Sequence, residues 1–175
     1  MRINTLIGEE EIKSRVKELA TKIESDFNGE EVILVAILKG SVFFATELAK
    51  AMTTPVVMDF IKVSSYNGTE STGKISFKLD LSENVENKNV IIVEDIVDTG
   101  RTLNYLKEHI NNKHPKSLKI CTLLDKKERR VLELNPDYVG FDIPDKFVIG
   151  YGLDYDEKYR NLPFIGVLKP EVYSN

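Results

Sequence analysis

Asn89-Val-Ile-Ile-Val-Glu-Asp-Ile-Val-Asp-Thr-Gly-Arg-Thr-Leu103 decides the fold of this chain. Residues 90–93 are apolar and β-branched, the composition of a strand buried in a parallel sheet. Two carboxylates, Glu94 and Asp95, follow where that strand is expected to end. Asp98, Thr99, Gly100, Arg101 and Thr102 then make a short polar turn, and Leu103, Leu106 and Ile110 carry the apolar spacing of a helix beyond it. Small residues at a helix start leave several backbone N–H groups pointing one way, which suits a phosphate. Paired carboxylates beside such an anion site suit a ligand with hydroxyl groups or a divalent metal. Asp98 or Thr99 alone could serve simply as a helix cap. An apolar strand, paired acids and a small-residue turn in that order point instead to a binding site.

Outward from that stretch, strands and helices alternate. Residues 9–27 place Ile12, Val16, Leu19, Ala20, Ile23 and Phe27 on one helix face. Residues 32–38 read as a buried strand, 42–52 as a helix, and 56–63 and 75–81 as strands, the last with alternating Ile75, Phe77, Leu79 and Leu81. Further strands are expected at 118–124, 138–141 and 147–149. This order predicts an α/β fold with a parallel sheet flanked by helices and ligands outside the C-terminal strand ends. The 175 residues, 42% hydrophobic, fit a single domain spanning 1–175.

Composition narrows the classes. No apolar run approaches the roughly 20 residues of a membrane span. Residues 1–15 lack the apolar core of a secretory signal and carry acids that a transit peptide avoids, so a cytoplasmic protein with no membrane partner is expected. Cys121, the one cysteine, lies in an apolar run and reads as a packing residue. A net charge of -4 gives no support for a nucleic-acid surface, and none is expected. His109 and His114 have no metal-ligand spacing.

A second turn, Leu38-Lys39-Gly40-Ser41, also follows a buried strand and opens a helix, an ordinary place for such residues. Gly68-Thr-Glu-Ser-Thr-Gly-Lys-Ile75 nearly matches a P-loop, but Ile75 stands where a hydroxyl must follow the lysine, and strand-like alternation replaces the required helix.

Residues 89–103 resemble the 5-phosphoribosyl-1-pyrophosphate (PRPP) motif of the phosphoribosyltransferases. With the 38–41 turn, Leu124-Asp-Lys-Lys127 and Asp145-Lys-Phe-Val-Ile-Gly-Tyr-Gly-Leu-Asp-Tyr155, the chain is similar to the hypoxanthine-guanine branch from about residue 3 to residue 168. The resemblance implies the type I phosphoribosyltransferase fold with a small hood from the chain termini. It implies that Glu94 and Asp95 hold the ribose hydroxyls, and that Asp98, Thr99, Gly100, Arg101 and Thr102 hold the 5′-phosphate turn. Lys39, Gly40, Ser41 and Arg160 would meet pyrophosphate, and the Leu38–Lys39 peptide can be cis in this family. Lys126 would donate to the 6-oxo group of the purine, Phe147 would stack on it, and the Val148 backbone, Ile96 and Leu153 would complete the base site. Asp98 is the implied general base at N7, and Mg2+ is the implied cofactor, held by Glu94, Asp95 and Asp154. Ser65 and Tyr66 would belong to a lid over residues 64–74. Gly152, where relatives often have alanine, is expected to loosen its loop, whereas Arg101 in place of lysine removes no required group.

These implications add up to purine salvage. The phosphoribosyl group of PRPP passes to N9 of hypoxanthine, and of guanine next, giving IMP or GMP and pyrophosphate. A homodimer or homotetramer is implied. A xanthine-preferring enzyme remains an alternative, as does a phosphoribosyltransferase-like RNA-binding regulator of pyrimidine genes, which shares the PRPP motif but not the Lys126 and 145–155 matches.

Overall fold

The apolar runs become strands, and the amphipathic stretches become the helices that cover them. The structure, a computed structural model, describes residues 3–65 and 75–173. In chain order these form β1 (Ile3–Ile7), α1 (Glu9–Asp26), β2 (Val32–Ile37), α2 (Val42–Ala51), β3 (Val56–Ser65), β4 (Ile75–Leu79) and β5 (Asn89–Val97). Then come α3 (Arg101–Asn111), β6 (Ser117–Asp125), a 3₁₀ turn (Lys127–Arg129), β7 (Tyr138–Asp142), β8 (Val148–Ile149), β9 (Ile165–Leu168) and α4 (Pro170–Tyr173).

A six-stranded sheet runs in the order β4-β3-β2-β5-β6-β7. The five strands from β3 to β7 are parallel, whereas β4 lies antiparallel to β3 at the edge. The sheet is thus mixed at that edge. Period-two alternation sends Val32, Leu34, Ala36, Ile91 and Val93 to one face, under α1 and α2. Ile33, Val35, Ile37, Val90 and Ile92 go to the other, under Leu103, Leu106 and Ile110 of α3. Helix α1 begins where the Gly8 amide donates to Glu11 Oε1 at 3.2 Å, and three acids in its first turn suit the positive end of its dipole. It stops where Asn28 and Gly29 turn to positive φ. A separate three-stranded sheet, β1-β9-β8, forms the small hood: β1 from one end of the chain pairs antiparallel with β9 from the other.

Chain order reverses beside β2: the path goes to β3 on one side, then returns to β5 on the other. Crevices at the C-terminal ends of such neighbours are where ligands bind in open α/β sheets. One expectation changes here. Strand β5 does not end before its acids but continues to Val97, because β6 pairs with it out to Val97↔Asp125. Its other edge loses β2 after Ala36↔Val93. Glu94 and Asp95 therefore stand on a strand held along one side only, with the crevice on the other. Among the described residues no helix is long and apolar enough to cross a membrane.

Candidate active site

Three segments distant in sequence meet where β2 and β5 part. The Leu38–Lys39 peptide is cis, and the turn it opens rests on Asp95: a Cβ placed on Gly40 would overlap that carboxylate. Gly152 lies against the Gly40 carbonyl from the far side, at φ 101°. A methyl group there would overlap that oxygen, so Gly152 permits a close junction rather than loosening its loop. Ser41 is also reassigned. Its hydroxyl (2.5 Å) and its amide (3.2 Å) both donate to the Ile37 carbonyl, and the side chain is fully buried. Ser41 anchors the turn, leaving the Lys39 and Gly40 amides as the donors an anion can reach.

The paired acids each spend one oxygen locally. The Asp95 amide donates to Glu94 Oε1 at 2.9 Å, and the Ile96 amide to Asp95 Oδ1 at 2.7 Å. Burial, and the Asp95 charge beside it, push the Glu94 carboxyl well above the usual carboxylate range. Such a pair is relieved by hydroxyl donors or by a hard cation. The residues therefore fit magnesium shared with a ligand's oxygens. The implied set of three is not preassembled: among the described residues no three His, Cys, Asp or Glu side chains gather around one point. Asp154 is drawn elsewhere, its Oδ2 accepting from the Glu157 amide at 2.9 Å and its Oδ1 lying 3.6 Å from Arg160.

Beyond the acids, Gly100 caps α3 at φ 88°, and the Asn104 amide is the first to donate back into the helix, to Gly100. The amides of Arg101, Thr102 and Leu103 precede it, at the positive end of α3. Glu94, Ile96, Asp98, Thr99, Gly100 and Thr102 line a cavity of about 160 Å³ at this turn. Arg101, the first residue of α3, is exposed. The turn is stitched to the segment after β6. The Lys126 amide donates to Val97 at 3.0 Å, the Val131 amide to Thr99 at 3.1 Å, and Arg130 to the Asp98 carbonyl at 2.9 Å.

Lys39 and Arg160, 121 positions apart, converge on one side chain that sequence reasoning missed. Lys39 Nζ lies 2.8 Å from Glu157 Oε2, and Arg160 Nη2 lies 3.0 Å from Glu157 Oε1. The two cations hold the Glu157 carboxyl down at about 2. Arg160 also donates to the Gly152 carbonyl at 2.6 Å, while its Nε is buried without a partner. A tight loop makes this possible: Tyr151, Asp156, Glu157 and Tyr159 all adopt positive φ.

After β6, the Lys126 side chain is 11% exposed and lies 3.6 Å from Asp145, two residues before Phe147. Phe147 is 37% exposed and meets Tyr155 edge-on at 5.8 Å. Val148 is buried in β8 opposite Val167 of β9, Leu153 is buried across the bridge to Gly150, and Ile96 packs partly buried on the core. Asp98, 46% exposed, pairs with Arg129 at 3.1 Å. The Ser65 side chain, Tyr66 and the remaining lid positions to Lys74 lie outside the described residues. Cys121 is fully buried, and His109 pairs with Asp80 at 3.0 Å.

The family described as phosphoribosyl transferase domain matches residues 7–156. The hypoxanthine-guanine phosphoribosyltransferase of Streptococcus pneumoniae (strain ATCC BAA-255 / R6) is 50% identical over 171 residues, covering 97% of this chain and 95% of that protein. The bifunctional protein TilS/HprT of Listeria monocytogenes serotype 4b is 48% identical over 170 residues, 97% of this chain, and the chain spans 26% of that relative's length. A crystal structure of a hypoxanthine-guanine phosphoribosyltransferase from Bacillus anthracis superposes with a TM-score of 0.90 at 55% identity, covering 94% of this chain and 97% of that one.

Proposed function

The chain belongs to the phosphoribosyl transferase domain family, and from that premise we propose that it is a purine salvage enzyme that transfers the phosphoribosyl group of PRPP to hypoxanthine and guanine. The observation that carries the choice of base is Lys126. A nearly buried ammonium has only donors to offer, so it favours a 6-oxo acceptor and opposes the 6-amino group of adenine. The similarity to hypoxanthine-guanine phosphoribosyltransferases supports the same choice.

In this reading the amides at the start of α3 and the Thr99 and Thr102 hydroxyls bind the 5′-phosphate, and Glu94 and Asp95 accept from the ribose hydroxyls. Pyrophosphate lies between the Lys39 and Gly40 amides and the Lys39 and Arg160 side chains, displacing Glu157 from its two cations. The C1′–O bond to pyrophosphate breaks as the C1′–N9 bond forms, through an oxocarbenium-like sugar akin to that of glycoside cleavage. Asp98 accepts the proton the purine gives up at N7, its contribution resting on placement near the base. The Val148 backbone meets the Watson–Crick edge, with Phe147, Leu153 and Ile96 around the ring. Glu94 and Asp95, with Asp154 directly or through water, would hold magnesium, which would neutralise charge on the departing pyrophosphate. Ser65 and Tyr66 would close over the site. A cytoplasmic homodimer or homotetramer completes the proposal.

The test is pyrophosphate release from PRPP and Mg2+ with hypoxanthine, guanine, xanthine, adenine and uracil in parallel. Hypoxanthine and guanine should turn over, and adenine should be rejected by roughly 10⁴-fold. Comparable turnover of adenine would overturn the role of Lys126. Turnover of uracil alone would overturn the purine assignment.

A further inference from the structure

Arg129 and Arg130 are neighbours with different tasks. The Arg130 side chain is 13% exposed, and its guanidinium donates to the buried Asp125 carboxylate at 2.7 Å, as well as to the Asp98 and Leu134 carbonyls at 2.9 Å each. All of its partners belong to the framework. Arg129, half exposed, reaches only side chains. Its Nε lies 3.1 Å from Asp98 Oδ1 and its Nη1 3.9 Å from Asp145 Oδ2, while Asp145 Oδ1 lies 3.6 Å from Lys126 Nζ. Charges therefore alternate along Asp98–Arg129–Asp145–Lys126, from the carboxylate assigned to N7 of the purine to the ammonium assigned to its 6-oxo group. The 3₁₀ turn brings the two residues together, since the Arg129 amide donates to the Lys126 carbonyl at 3.0 Å.

We propose that Arg129 is a positioning residue for purine transfer: it holds the Asp98 carboxylate by Oδ1, leaving Oδ2 to meet the base, and couples that placement to Lys126 through Asp145. The inference rests on the purine reading of the site. An unpaired Asp98 on this exposed turn would sample several rotamers, and the planar guanidinium selects one with little loss of its own freedom. Arg129 stays protonated throughout, so the proton from the purine has only the carboxylate to go to.

The experiment compares wild type, Arg129→Ala, Arg129→Lys, Asp98→Asn and the double variant Asp98→Asn/Arg129→Ala. For each, kcat and KM for hypoxanthine are measured, with PRPP affinity by calorimetry and the melting temperature. Arg129→Ala should lower kcat/KM for hypoxanthine roughly fivefold to tenfold, the scale of one charge-assisted hydrogen bond discounted for exposure. PRPP affinity and melting temperature should stay at wild-type values, and Arg129→Lys should recover part of the loss. In the Asp98→Asn background, removing Arg129 should cost nothing further. A full additional loss in that background would overturn the inference. So would an unaltered Arg129→Ala enzyme, or a variant whose PRPP affinity and melting temperature fall together. A wild-type protein inactive on hypoxanthine and guanine would instead defeat the purine reading, and the inference with it.

Discussion

Replacing Gly40 by alanine tests the junction on which the site is built. On the present backbone the new methyl would overlap Asp95 Oδ2 and stand 2.7 Å from Asp95 Cγ, where ordinary contact begins at 3.4 Å. Something must yield by about 0.7 Å or more. Asp95 cannot swing aside freely, because its Oδ1 accepts from the Ile96 amide at 2.7 Å. The turn cannot simply drop back either, because the Gly40 carbonyl is pressed against Gly152. Giving up a charge-assisted hydrogen bond costs about 1.5–3 kcal/mol. At 1.4 kcal/mol per tenfold, PRPP affinity should weaken by about tenfold to a hundredfold. Overpacking should also lower folding stability by about 1–3 kcal/mol. Calorimetric titration of PRPP with magnesium reads the first effect, and denaturant unfolding reads the second. A Gly40→Ala protein that binds PRPP like the wild type would refute the argument that this contact sets the distance between the pyrophosphate turn and the ribose acids.

Asp98→Asn keeps the shape of its turn, so PRPP affinity should be nearly unchanged while kcat falls by about 10²-fold or more; an unaltered kcat removes Asp98 from the chemistry. Glu94 has a carboxyl raised by burial, so the native state binds more protons than the unfolded one, and stability declines as pH rises from the ordinary glutamate value through the raised one. Glu94→Gln should therefore melt above wild type near neutral pH, with the difference closing in acid, and should bind PRPP more weakly. Melting profiles that run parallel across pH would contradict the burial argument. Glu157→Gln frees Lys39 and Arg160 from an internal anion that stays ionised down to about pH 2. Pyrophosphate should then inhibit the variant severalfold more strongly, and equal inhibition would show that Glu157 does not compete for those cations.

What the sequence disclosed depended on how local the physics was. Strand β5, the Gly100 turn and the buried face of α3 follow from periodicity and turn chemistry within 22 consecutive residues, 89–110, and they stand where the reading put them. The extent of β5 was not legible. Its last residues are polar and charged, and only the neighbouring β6 keeps them in the ladder. Glu157 escaped because its partner Lys39 is 118 positions away and meets it only through a loop with left-handed backbone. Among charged residues after a strand, Arg129 and Arg130 look like ordinary solvated cations. The available clue was Asp125, an acid closing the apolar run of β6: an acid fully buried there requires a cation. Ser41 failed in the opposite direction, since small polar residues in a turn read alike whether their hydroxyl faces a ligand or the preceding strand.

The pairing of β1 with β9 has a bearing on synthesis. Ile3 is matched to Leu168 and Ile7 to Ile165, and β1 has no other strand partner among the described residues. At roughly 5–20 residues per second, a chain emerging from the ribosome leaves β1 waiting on the order of ten to thirty seconds for its mate. The strands β2 to β7, whose contacts lie closer along the chain, can assemble around the phosphate turn in that interval. Strand β8, which carries Val148, gains its only strand partner among the described residues when β9 arrives. On the reading proposed above, the purine side of the site therefore forms after the 98–102 turn, and a ribosome stalled short of Ile165 displays that turn without the roof assigned to the base.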